Sequence, residues 1–205
     1  MSLEPNYAPT ELRFLTMDMQ LVVSIVSGIC LSSACGLKVF VPPLAAGLAH
    51  KAGLLSLSEH TQWLGTWPAI SALAIAVACE FIGFSIPVFG NLLDVIATPA
   101  SVVAGAFLMS SQVETSSPLL NWSLAIAGGG ATSGLIASIM AAIRSGASIV
   151  SAGLSNFFVS LFELISAAVI ALLTLVAPLL CLAMLILLVL GLVRAVMHFR
   201  KLVVS

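Results

Sequence analysis

From about residue 19 onward the chain is built of long apolar blocks separated by short polar breaks. A helix needs about 20 apolar residues to cross a hydrocarbon core of roughly 30 Å, so blocks predict spans and breaks predict loops. The first block, Leu21 to Ala49, is interrupted only by Lys38 and is too long for one simple span. Lys38, Pro42 and Pro43 divide it into a span over about Met19–Leu37 and an apolar arm from Val39 to His50, re-entrant or interfacial. After the polar stretch Lys51–Gln62, Trp63 and Trp67 fit an aromatic belt where a second span enters the membrane. That span runs to about Phe84 and contains Glu80. Pro87 and Pro99 bound the next stretch. Proline lacks an amide hydrogen and interrupts helices, so a short broken helix is expected over residues 86–98 and a short third span over 99–109. Ser110–Pro118 is a polar loop. A fourth span, Leu119–Ile143, ends at Arg144, and the Ser/Gly-rich residues 145–155 predict an irregular segment. The fifth span is Phe157–Val176, and Pro178 opens a sixth that ends near Val196.

Composition turns this pattern into a class. The chain is 60% hydrophobic and 7% charged, whereas soluble domains hold about 45–50% apolar and about 25% charged residues. Its mean hydropathy is +1.20. The 205 residues therefore predict an all-α polytopic transmembrane bundle of about six spans, with no room for a separate soluble domain. Residues 1–18 form a polar N-terminal tail, 19–197 a single transmembrane domain and 198–205 a short basic tail. The N-terminal segment lacks the basic start and early apolar run of a secretory signal and the second-position glycine of a myristoylation site, so the first span is expected to remain as an anchor. Arg194, Arg200 and Lys201 place the C-terminus in the cytoplasm by the positive-inside rule. Counting back puts Arg144 and the segment around Asp94 on the inner side and Lys51 outside. The N-terminus is inside if the Val39–His50 arm does not cross and outside if it does.

Several chemistries are set aside. A net charge of −1 with no basic run gives nucleic acid no footing. Cys30, Cys35, Cys79 and Cys181 lie in apolar stretches without a CxxC pair, which indicates neither a disulfide framework nor a zinc site. His50, His60 and His198 are scattered, and no HExxH or GxSxG motif occurs. No enzyme activity, cofactor or metal site is expected.

What remains is a set of ionisable groups in apolar surroundings. A charge at the bilayer centre costs roughly 2.5–3.5 kcal/mol on insertion scales, so Glu80, Asp94 and Glu163 need a bundle interior, a partner or a water-filled cavity. Asn91, Asp94 and Thr98 share one helix face at i, i+3, i+7, and Asn156, Ser160 and Glu163 repeat the spacing. The span count puts these groups and Arg144 at one depth near the cytoplasmic leaflet. We take Glu80, Asn91, Asp94, Asn156, Ser160 and Glu163 as candidate ligands for an ion or small polar solute, with Arg144 as counter-charge. A satisfied packing seam and a contact with a partner subunit are the competing readings. Gly28, Ser32 and Gly36, and Gly128 to Gly130 with Gly134, are small-residue faces suited to close helix packing or to an unwound, backbone-lined path. Ser33–Leu37 resembles Ala131–Leu135, a weak sign of an internal repeat.

These motifs also carry a resemblance. Ala34-Cys35-Gly36-Leu37-Lys38-Val39-Phe40-Val41-Pro42, Trp67-Pro68-Ala69, Glu80 with Ile86-Pro87, Asn91-Leu92-Leu93-Asp94, Ala97-Thr98-Pro99, Ala127 to Ala131, and Gly153 to Asn156 with Ser160 and Glu163 resemble the bacterial membrane family known as domain of unknown function 4126. The likeness extends from about Gly28 to the sixth span. It departs at Phe84 and Ser85 where the family has Asp-Lys, at Gly90 where it has Asp, at Ala137 and Met140 where it has His and Lys, and at Leu164 after Glu163. The resemblance implies a multi-pass protein of the bacterial cytoplasmic (inner) membrane and no established activity. The leading functional expectation is a small transporter or channel for an ion or polar solute. Lipid handling and a structural or assembly subunit are the alternatives, with the bilayer and a second copy of the chain as further partners.

Overall fold

The computed structural model describes the backbone of residues 10–113, 117–151 and 155–204, and their side chains except at 10–18, 87, 88, 91, 149–151, 195, 196 and 198–204. The described residues form helices and no strand: α1 (Thr10–Cys35), α2 (Val41–Lys51), a 3-10 turn (Gln62–Gly65), α3 (Trp67–Ser85), α4 (Pro87–Gln112), α5 (Pro118–Leu124), a π-helical stretch (Ala125–Gly130), α6 (Ala131–Ser151), α7 (Ser155–Val176) and α8 (Pro178–Val204). Proline opens α4, α5 and α8 and stands in the first turn of α2 and α3. The first amides of a helix have no intrahelical acceptor, so a missing N–H costs nothing there and the fixed φ already suits the helix.

Several boundaries differ from the sequence reading. The expected broken helix over 86–98 and short span over 99–109 are one continuous helix, α4, with Pro99 in its interior. Proline is tolerated inside an apolar helix when neighbouring helices hold the backbone in place. Here Ser32 Oγ of α1 donates to Gly105 O at 2.7 Å, and Ser133 Oγ of α6 donates to Ser101 O at 2.6 Å. The expected irregular segment after Arg144 is helical to Ser151, so Arg144 lies inside a helix and not at its end. In addition, α1 begins at Thr10, ahead of the expected Met19.

The bundle has two ends. Gly28 of α1 packs against Met109 and Gln112 near the end of α4, and Cys30 Sγ lies 3.9 Å from Pro178 O at the α7–α8 junction. Gly36 reaches only as far as Ser133 and Ile136, midway along the Pro118–Ser148 stretch. There α1 stops, and α2 turns back towards the end it came from. Gly47 packs on Leu64, and Gly65 on His50, beside the start of α3. With 11 residues, α2 is about 17 Å long, roughly half a hydrocarbon core. The arm is therefore re-entrant, and α1 and α2 form a broken pair that meets inside the bundle.

Four stretches are long and apolar enough to cross a membrane, namely Trp67–Ser85, Leu92–Gln112, Pro118–Ser148 and Ser155–Val176; Met19–Cys35 and Pro178–Arg194 are shorter apolar helices. Their outer faces carry Ile75, Ile82, Val103, Leu172, Val176 and Leu187, all more than half exposed, while Lys38, Arg144 and Glu163 are buried. Soluble proteins rarely expose continuous apolar surface. This inverted distribution and the apolar helices point to a membrane protein. Trp63, Trp67 and Trp122 are exposed at one end, as an interfacial belt requires.

Candidate functional site

The α1–α2 turn places Lys38 in the bundle interior. The amides of Gly36, Leu37 and Lys38 bond back to Ser33 O and Ala34 O, tightening the end of α1, and the proline pair of α2 follows within a few residues. The Lys38 ammonium is left between α3 and α7. Its Nζ donates to Ser160 Oγ at 3.1 Å and lies 3.1 Å from Glu163 Oε2. The Glu163 contact is an ion pair without hydrogen-bond alignment, since Oε2 accepts no hydrogen bond.

Glu163 lies about two turns into α7 from Ser155, and its other oxygen pairs with Arg144 Nη2 of α6. Arg144 Nη1 pairs with Asp94 Oδ1 of α4. One guanidinium thus ties three helices through two carboxylates, a use suited to its rigid fork of donors. Phe84 of α3 lies against both cations, with Lys38 Nζ 4.2 Å and Arg144 Cζ 4.1 Å from its ring centroid. Cation–π attraction of this kind is worth about 2 kcal/mol or more when desolvated.

Glu80 is held differently. Its carboxylate oxygens accept from Val39 N at 2.8 Å and Phe40 N at 3.3 Å, immediately ahead of α2. The start of a helix carries positive partial charge, and Pro42 and Pro43 leave few other free amides there. Glu80 therefore anchors the re-entrant helix by its N-terminal end. Side-chain exposure is 1% for Lys38, 0% for Glu163, 3% for Arg144 and 15% for Asp94. A small cavity of about 20 Å³ is lined by Glu80, Phe84, Asp94, Thr98, Arg144 and Glu163, among others, which is room for about one water molecule.

The structure brings together Glu80, Asp94, Arg144, Ser160 and Glu163 of the sequence-predicted set. Asn156 is fully buried beside them; its Oδ1 accepts from Ser148 Oγ at 2.5 Å and its Nδ2 has no partner. Asn91 lies on α4, and its side chain falls outside the described residues. Sequence reasoning missed Lys38 as a site residue, using it to divide an apolar block and as part of a family motif. The available signal was a lone ammonium ahead of Pro42-Pro43 with no water-facing stretch around it. The small residues are packing contacts. A Cβ on Gly28 would strike Met109, one on Gly36 would strike the Ser133 carbonyl, one on Gly130 would crowd Val102 at 3.2 Å and one on Gly134 would meet the same side chain at 2.6 Å.

Residues 25–198 match the family described as a domain of unknown function (DUF4126). No curated protein and no solved structure matches the chain.

Proposed function

The chain belongs to the DUF4126 family, whose description assigns no activity, and from that premise we propose that it is a small transporter or channel for an ion or small polar solute. The observation that carries this reading is the broken α1–α2 pair, whose inner ends meet at the charge cluster. Secondary transporters build their sites from discontinuous helices near the membrane midplane, with helix ends supplying partial charges. Here the α2 N-terminus faces Glu80, and the turn carries Lys38 to Glu163. Asp94, Arg144 and Glu163 join α4, α6 and α7 by ion pairs, whose strength depends on the charge of each partner.

A packing seam is the second reading. It is favoured by the pairing already present, because each charged group of the cluster has a partner within the chain.

Reconstituted liposomes separate the two. Asp94→Asn is the informative variant, because Asp94 is the least buried of the paired carboxylates. Wild-type liposomes are expected to pass a monovalent ion or a small solute from a panel. Asp94→Asn, still folded by its melting curve, is expected to lower that flux about tenfold or more, the scale of a lost proton-transfer or ligand group. Wild-type flux equal to that of empty liposomes across the panel overturns transport and leaves the seam.

A further inference from the structure

We infer that the species taken up at this site is a single proton, carried to Asp94 Oδ2 through one water molecule held in the cavity that the α1–α2 turn, α3, α4, α6 and α7 enclose. The inference rests on the transport reading for its purpose, but its evidence is separate.

Charge comes first. The groups facing Asp94 are Lys38 and Cys35 from the end of α1 and its turn, Glu80 from α3, Arg144 from α6 and Glu163 from α7. Three carboxylates thus meet two cationic side chains, which leaves one surplus negative charge when all are ionised; the amides at the start of α2 offset only part of it, so the cluster can accept one more positive charge.

Size comes second. A cavity of about 20 Å³ has room for about one water molecule. Among the described residues, no three Asp, Glu, His or Cys side chains converge as a metal site.

Hydrogen bonding decides between a bare cation and a proton on water. Asp94 Oδ2 and Arg144 Nε, on two residues lining the cavity, are buried and have no hydrogen-bond partner. A metal ion in the cavity satisfies the oxygen and leaves the guanidinium N–H unpaired beside a second positive charge. A water accepts from Nε–H and donates to a carboxylate oxygen, and it passes a proton along the same bond. Glu80 is the weaker candidate, because each of its oxygens already accepts from a backbone amide. Both Glu163 oxygens face cations. Asp94 Oδ2 has no hydrogen-bond partner, and the ion pair of its carboxylate runs through Oδ1. The step is a relay through a neutral water: as the water gives one proton to Asp94 Oδ2 it takes another from a proton-bearing water on the solvent side, so one O–H bond breaks and one forms at the relay oxygen, one forms on Asp94, no free hydronium stands beside Arg144, and Arg144 keeps its charge throughout. Neutral Asp94 no longer pairs as an anion with Arg144, so protonation loosens the tie between α4 and the α6–α7 pair.

The test uses the full chain in detergent and in liposomes. Infrared difference spectra recorded from about pH 3 to 9, which covers ordinary and perturbed carboxyls, are expected to show one protonated-carboxyl band that titrates, shifts in D₂O and is missing in Asp94→Asn. Liposomes loaded with a pH dye and given a potassium diffusion potential are expected to take up protons, about tenfold or more slowly with Asp94→Asn. No titrating band in wild type overturns the proton assignment, even where sodium or potassium flux upholds transport. A titrating band that survives in Asp94→Asn overturns the choice of Asp94. A band lost in Asp94→Asn without flux of any ion supports the proton site and takes down transport.

Discussion

At the scale of single residues, Lys38 governs the energetics of the cluster. It is almost fully buried, and its charge is balanced chiefly by Glu163 at 3.1 Å. Breaking a buried pair by removing one partner destabilises by about 3–5 kcal/mol, whereas replacing both partners with apolar groups is often neutral. Lys38→Met is therefore expected to melt well below wild type, and Lys38→Met/Glu163→Leu to recover much of the loss. Additive losses in thermal melts of the single and double variants would show that the two charges are not coupled. The carboxylates and Arg144 were legible in the sequence because a charge in an apolar block has no bland explanation. Lys38 was not, because a side chain at a turn has no periodicity to fix its direction. Its pairing with Glu163 comes from lateral packing of distant segments, which spacing along the chain does not encode.

At the scale of elements, close packing explains both what was legible and what was not. The small-residue faces were visible as four-residue spacings, and the structure gives them partners. A Cβ on Gly36 would meet the Ser133 carbonyl, Ile136 Cβ at 2.8 Å and Ala137 N at 3.1 Å. Two of these are backbone atoms of a helix and cannot swing aside. Gly36→Ala is expected to destabilise by about 1–3 kcal/mol, as overpacking does, and to displace the turn that aims Lys38. A Cβ added to Gly191, on α8, would have nothing within 4 Å. There Gly191→Ala is expected to add about 0.5–1 kcal/mol through helix propensity. Thermal melts of the two variants should move in opposite directions, and a matched fall would remove the packing argument. The continuity of α4 was hidden because Pro99 is a local breaker, while the hydrogen bonds that hold the helix beyond it come from α1 and α6.

At the scale of the whole molecule, the path of α1 and α2 decides which side each terminus faces. The sequence tied the N-terminal side to whether the arm crosses, on the assumption that α1 crosses completely. In the structure α1 descends only to the middle of the bundle, and α2 returns to the same end. The pair as a whole does not change sides. The remaining path through α3, α4, the α5–α6 stretch, α7 and α8 is an odd number of passages, so the start of α1 and the end of α8 lie at opposite ends of the bundle. Arg194, Arg200 and Lys201 bias the α8 end to the cytoplasm. The Thr10 end of α1 is then expected on the outer face, together with Lys51, Trp63 and Trp67. Single cysteines introduced at Gln20 and at Lys201, in a chain whose own exposed Cys79 has been replaced, test this with a membrane-impermeant thiol reagent on intact cells. Labelling at position 20 but not at 201 fits the re-entrant pair. Labelling at neither position, with both reacting once the cells are opened, would mean that α1 completes its crossing and that the break in the bundle lies elsewhere.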